Sequence, residues 1–201
     1  ITFMTIKTAF NDKNEDNSSE AFKQFAQNIE EVRQALSRSN NFGEYDTLSS
    51  DVLVPAFIAA YSGRTVAETN LNPFPKIPLP NWRITYDGLS KIALINRLFK
   101  KFTLSHSYKS TLNYGSFTSN LLYDVNENNG DPEARDINGD FIPDLQIATV
   151  SISERYSPLL GVDMTLNNNM LLKVEYKRDR SASMSMANSQ ITEVKGSEWS
   201  V

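Results

Sequence analysis

His106 is the only histidine in the chain, so any chemistry that needs an imidazole would have to use it. A Ser-His-carboxylate arrangement needs a serine and an orienting acid brought to that ring. No Gly-x-Ser-x-Gly elbow marks such a serine. His106 lies between Leu104 and Tyr108 at alternate positions of a strand-like stretch, and it reads as a packed or interfacial strand histidine. The second candidate is the run Asp-Ile-Asn-Gly-Asp-Phe-Ile-Pro-Asp, which offers Asp136, Asn138, Asp140 and Asp144 as oxygen ligands; Asp124, Asn126 and Asn128 precede it. Oxygens at alternate positions around a glycine resemble a calcium loop. The glutamate that closes such loops at the twelfth position is replaced by Ile147 counting from Asp136, and by Arg135 counting from Asp124. The same residue types build any solvated turn. An ordinary outer loop is therefore the expectation, with calcium as the weaker alternative. Phosphate-binding glycine loops, paired-carboxylate sites and metal clusters are missing from the sequence. No enzyme activity and no cofactor are expected.

The elements that must position these residues change character along the chain. Its 201 residues carry a net charge of −4 and no cysteine, which excludes disulfides and thiol chemistry and gives nucleic acid no basic patch. Ile1 stands where an initiator would, and an alternating pattern runs into Val201, so the chain reads as a piece of a longer protein. Ile1 to Phe10 has the pattern of a strand end. From 11 to 100 we expect a helical and proline-rich insertion. Phe22, Phe25, Ala26, Ile29, Val32 and Leu36 recur at steps of three and four, predicting an amphipathic helix over 20–37. A second helix is expected over 50–62, stopping at Gly63, with Pro55 awkward inside it. Prolines at 73, 75, 78 and 80 favour a rigid extended strap. Trp82, Ile84 and Tyr86 alternate as a short strand, and Leu89 to Phe99 suits a short helix.

From 101 to 201 strand patterning dominates, interrupted by a polar loop at about 124–144. The clearest stretch is 102–114. One face presents Phe102, Leu104, His106, Tyr108, Ser110, Leu112 and Tyr114; the other presents Thr103, Ser105, Ser107, Lys109, Thr111 and Asn113, polar throughout. A strand of that length rises about 30 Å when tilted by about 40°, the thickness of a bilayer core. We therefore expect Phe102, Leu104, Tyr108, Leu112 and Tyr114 to face lipid, and the polar set to face a wet lumen. At Gly115 the parity slips, through either a bulge or a turn. Leu145 to Arg155 predicts a strand ended by a turn at Pro158. A hairpin follows, with Leu160, Val162, Met164 and Leu166 facing Met170, Leu172, Val174 and Tyr176 across Asn167–Asn169. Two more strands are expected, one through Ala182, Met184 and Met186 and one from Ile191 towards Trp199. The fold expected is mainly β: a fragment of a very large antiparallel transmembrane barrel with one or two inserted helices. Two other readings stand beside it, a porin or nutrient-transporter barrel and a soluble β-sandwich surface adhesin.

Three segments resemble the SprA/Sov family, the outer-membrane translocon of the type IX secretion system. They are Asn-Pro-Phe-Pro-Lys-Ile-Pro-Leu-Pro-Asn-Trp-Arg-Ile-Thr-Tyr-Asp-Gly-Leu at 72–89, Phe-Thr-Leu-Ser-His-Ser-Tyr-Lys-Ser-Thr at 102–111 with Gly-Ser-Phe-Thr-Ser-Asn-Leu at 115–121, and the run from Phe141 to Lys195 that contains Val-Ser-Ile-Ser-Glu-Arg-Tyr-Ser-Pro-Leu-Leu-Gly. The resemblance covers nearly the whole chain, more loosely before residue 50. It implies a C-terminal fragment of a giant single-chain barrel in the outer membrane of Bacteroidetes. It also implies export of folded cargo with C-terminal secretion signals, gliding adhesins among them. The implied partners are the cargo, a PorV-like shuttle protein, a plug protein and the lipid bilayer, with no nucleic acid.

Overall fold

The computed structural model describes residues 19–39, 44–72, 81–125 and 132–201. The strand end expected over 1–10, the proline strap at 73–80 and part of the polar loop lie outside the described residues. The fold is mainly β: one five-stranded antiparallel sheet in the order β1-β2-β3-β4-β5, with a helical pair laid on it. The strands are β1 (Trp82–Tyr86), β2 (Phe99–Ser119), β3 (Leu145–Leu166), β4 (Leu171–Ser185) and β5 (Gln190–Ser200). Each pairs with its neighbour in sequence, so the sheet is a meander, and its two edges do not meet in a closed barrel.

Three strands are longer than their patterns suggested. β2 runs for 21 residues through the parity slip at Gly115, so the slip is a local irregularity in one strand and not a turn. Ser116 takes φ +65° there, while the pairing Gly115↔Thr149 and Phe117↔Ile147 continues across it. β3 runs for 22 residues, and Pro158 does not end it. The register shifts instead between Tyr156 and Leu160, where proline cannot donate to a ladder. Likewise Leu171–Ser185 is a single strand where two were expected. The Asn167–Asn169 turn forms as anticipated, with Asn169 at φ +69° and the Leu166 N–H donating to the Met170 carbonyl at 2.9 Å.

The helices are α1 (Glu20–Ser39) and α2 (Ser50–Ser62). Every residue of α2 from Val52 to Ser62 is buried, as befits a helix apolar on all sides. Gly63 ends it in the left-handed conformation (φ 64°), as the sequence suggested. Pro55 is accommodated inside the helix and buried. In α1, Ala21, Phe25, Asn28 and Val32 turn inward, while Phe22 stays half exposed. The amide of Asn28, which apolar periodicity could not flag, donates to the Ala56 carbonyl at 3.3 Å and ties the two helices.

The helical pair covers one end of one sheet face. Val52, Phe57, Ala60 and Tyr61 join Leu112, Val150, Ile152, Ala182 and Met184 in a single apolar core. The Ser50 hydroxyl accepts the Ile147 N–H at 3.1 Å, fixing the start of α2 to β3. The helix expected over 89–99 is not formed as such. Residues Gly88–Lys91 make a 3-10 turn, and Ala93–Asn96 a single helical turn (α3), before β2 begins. Among the described residues no helix is long and apolar enough to cross a membrane.

Candidate functional site

The arrangement with functional meaning is the sheet itself, which has two chemically opposed faces. Even-numbered residues from Phe102 to Tyr114 share a face with Val150–Tyr156 and Leu160–Met164 on β3, and with Leu172–Tyr176 and Ala182–Met184 on β4. The opposite face carries Thr103, Ser105, Ser107, Lys109, Thr111 and Asn113, alongside Asp163, Lys173, Glu175, Lys177 and Glu198. Its charges are paired: Lys173 to Glu175 at 2.9 Å, Lys177 to Glu175 at 3.7 Å and Lys177 to Glu198 at 3.8 Å.

The apolar face is divided in two. At the end beside residues 120–125 and 132–144 and the β4–β5 turn it lies under α1 and α2. This corrects part of the expected lipid-facing set. Leu112 is 3% exposed and belongs to the core beneath the helices, and Tyr114 packs against that core. Tyr108, 1% exposed, is packed with Tyr156, Trp82 and Leu159. For Leu112 and Tyr114 the physical reason is that α1 and α2 offer that strip of sheet a protein cover, and for Tyr108 it is that Trp82 of β1, Tyr156 and Leu159 close over it; alternation within a strand reveals neither. On the other face Thr103 is also buried, and its hydroxyl has no hydrogen-bond partner; Ser105, Ser107 and Thr111 are half-buried, and Lys109 and Asn113 are exposed.

At the other end, toward the Asn167–Asn169 turn, the apolar face has no cover among the described residues. It is made of Ile84 and Tyr86 on β1, Phe102 and Leu104 on β2, Leu160, Val162 and Met164 on β3, Leu172, Val174 and Tyr176 on β4, and Trp199 on β5. Ile84, Tyr86, Leu160, Leu172 and Trp199 are exposed, Trp199 to 68%. Tyr176 and Trp199 stack with centroids 4.5 Å apart. Such a continuous apolar surface far exceeds the scattered apolar residues of an ordinary soluble surface. His106 sits in this half with its Nδ1 donating to the Leu159 carbonyl at 2.7 Å, a structural contact that makes no triad.

A belt of buried charge separates the two halves. Arg180 donates through Nε to Glu193 at 2.9 Å and through Nη1 to Glu154 at 3.4 Å. Tyr108 donates its hydroxyl to Glu154 at 2.8 Å, and the Arg180 guanidinium lies 5.3 Å from the Tyr61 ring centre. Burial pushes the Glu193 carboxyl up, but Arg180, Ser19 and Lys195 together hold it below the usual carboxylate range. Sequence reasoning missed this belt. The signal was available: Glu154, Arg180 and Glu193 are in phase with the apolar residues Ile152, Ala182 and Ile191, so these charges point toward a core.

The loop that offered oxygen ligands folds as a turn. Asp136 accepts the N–H groups of Asn138 at 2.8 Å and Asp140 at 3.0 Å, with Gly139 at φ +90°. Its carboxylate is thereby engaged locally. Asp144 faces a separate cavity of about 360 Å³, shared with Asp51, Tyr123, Tyr45 and Leu71. Burial, with Asp144 nearby, raises Asp51 to about 6. Among the described residues no group of three or more metal-binding side chains forms. No family model and no curated protein matches the chain.

Proposed function

We propose that this chain is one arc of the wall of a large outer-membrane β-barrel. Within that class we propose the protein-conducting channel of type IX secretion, of the SprA/Sov kind, which exports folded cargo bearing C-terminal signals in concert with a PorV-like shuttle and a plug protein. The observation that carries the membrane reading is the uncovered half of the apolar face. On β2 it extends from Phe99 to His106, with the packed Tyr108 as its border; border included, this is about ten residues, the length a tilted membrane strand requires. At about 3.3 Å per residue and a tilt of about 40° it rises about 23 Å, close to the apolar band of roughly 25 Å on such barrels. Trp82, Tyr108 and Tyr156 border it at one end and Phe99 and Phe102 at the other, where aromatic girdles belong. The opposite face is polar and ion-paired, as the lumen of an export channel must be if cargo is not to stick. The short Asn turn then faces the periplasm, and the long loop 120–144 and the helical pair stand on the outer side. The step from barrel wall to protein translocon rests on the resemblance of the 72–89, 102–121 and 141–195 segments.

Lysine substitutions on the two faces test this reading. Leu172→Lys or Val174→Lys, on the uncovered face, should cost about 2–4 kcal/mol of membrane stability and remove the chain from the outer-membrane fraction. Ser105→Lys, on the polar face, should leave it there. Equal tolerance on both faces would contradict the proposal. The helical cover favours the other reading, a soluble surface domain. A monodisperse, detergent-independent monomer would establish that reading in its place.

A further inference from the structure

We infer that Gly88–Lys100 is an interfacial anchor that lies on the bilayer surface and takes the headgroups of anionic phospholipids. This rests on the membrane reading above and adds a lipid-recognition site to it. The segment stands at the end of the sheet where the uncovered apolar face finishes. Between Gly88 and Lys100 the sequence holds three cations (Lys91, Arg97 and Lys100) and no carboxylate. The same stretch leaves Ile92, Leu94 and Leu98 exposed, Leu94 to 72%. Apolar side chains and cations interleaved on a short, folded connector are what an interfacial segment needs: the former enter the acyl boundary, the latter meet phosphate.

The connector is fastened to the sheet. Ser90 donates its hydroxyl to the Phe102 carbonyl at 3.0 Å and accepts the Phe102 N–H at 2.9 Å, taking the place of a strand partner beyond β1. Across β2, Asn167 donates its side-chain amide to the Arg97 carbonyl at 2.7 Å and its backbone N–H to the Leu98 carbonyl at 3.3 Å. Lys100 reaches the Asn169 side-chain oxygen at 2.5 Å. The exposed leucines are thus held at a fixed height, level with the end of the uncovered strip, without the cost of ordering a loose loop at the membrane. The charge complementarity selects an anionic headgroup surface over a neutral one.

The test uses the full chain and its absence of cysteine. Leu94→Cys carries an environment-sensitive fluorophore, and the chain is presented to phosphatidylcholine vesicles with and without phosphatidylglycerol. The expected result is a blue-shifted probe and a clear preference for the anionic vesicles that weakens with salt. In the Lys91→Gln/Arg97→Gln/Lys100→Gln variant that preference should fall by about fivefold per cation, with partition into neutral vesicles unchanged. Ile92→Ser/Leu98→Ser, which keeps the labelled position 94, should weaken both. If the chain partitions but shows no anionic preference, or the probe stays aqueous, the anchor is overturned while the membrane reading stands. A chain that enters neither vesicle overturns both, as does a probe that becomes buried only against another protein.

Discussion

Arg180 holds two carboxylates and faces the Tyr61 ring. It joins Glu154 on β3 to Glu193 on β5, and it is almost fully buried. Removing one partner of such a pair leaves an uncompensated charge in a poorly solvated place. Arg180→Met should therefore cost about 3–5 kcal/mol in denaturant unfolding, and adding Glu154→Gln should recover part of it. Asp51 makes a prediction of opposite sign with pH. Its folded value of about 6 lies above its ordinary 3.8, because burial and Asp144 disfavour the charge. Its stabilising contribution is fully present below the ordinary value, fades as pH rises through about 6, and is absent above that. Unfolding measured across this window should show a loss on the order of 2 kcal/mol, and Asp51→Asn should flatten the profile. Neither residue was found from the sequence. Charges in phase with an apolar strand face did mark Arg180 and its partners. Nothing local marks Asp51, whose partner is more than ninety residues away.

Elements were more legible than partnerships between elements. The helix over 20–37, the stop at Gly63, the strand at Trp82–Tyr86 and the Asn hairpin follow from spacing and turn chemistry, and the structure has them. The failures have a common physical cause. Gly115, Pro158 and the stretch near Tyr176–Ala182 interrupt a pattern without ending a strand, because antiparallel pairing tolerates bulges and register shifts that local rules count as ends. The docking of α2 was also hidden, since a helix apolar on all sides does not say what covers it. That docking has a testable strength. Phe57, fully buried between Phe25 and Tyr61, should cost about 3–5 kcal/mol as Phe57→Ala in thermal or denaturant unfolding, with the uncovered half of the sheet unaffected in its membrane behaviour.

At the scale of the molecule, a single sheet carries one polar face and one apolar face, and among the described residues only half of the apolar face is covered by protein. A closed wall resolves the remaining edges and the remaining apolar surface at once, since a barrel leaves no unpaired strand and lipid covers the outside. The uncovered half is bounded by residues: Tyr108, Tyr156 and the Glu154–Arg180 belt divide it from the covered half, and the hairpin at Asn167–Asn169 closes its far end. The most direct test is a scan of single cysteines introduced into this cysteine-free chain in outer membranes, labelled from the lipid phase with a hydrophobic maleimide. Cysteines at Leu160, Val162, Leu172 and Val174 should react, while those at Ile152, Leu112 and Ala182 on the same face, and at Lys173 and Ser105 on the other, should not. Uniform protection of the first group, or equal labelling of both faces, would contradict a lipid-embedded wall.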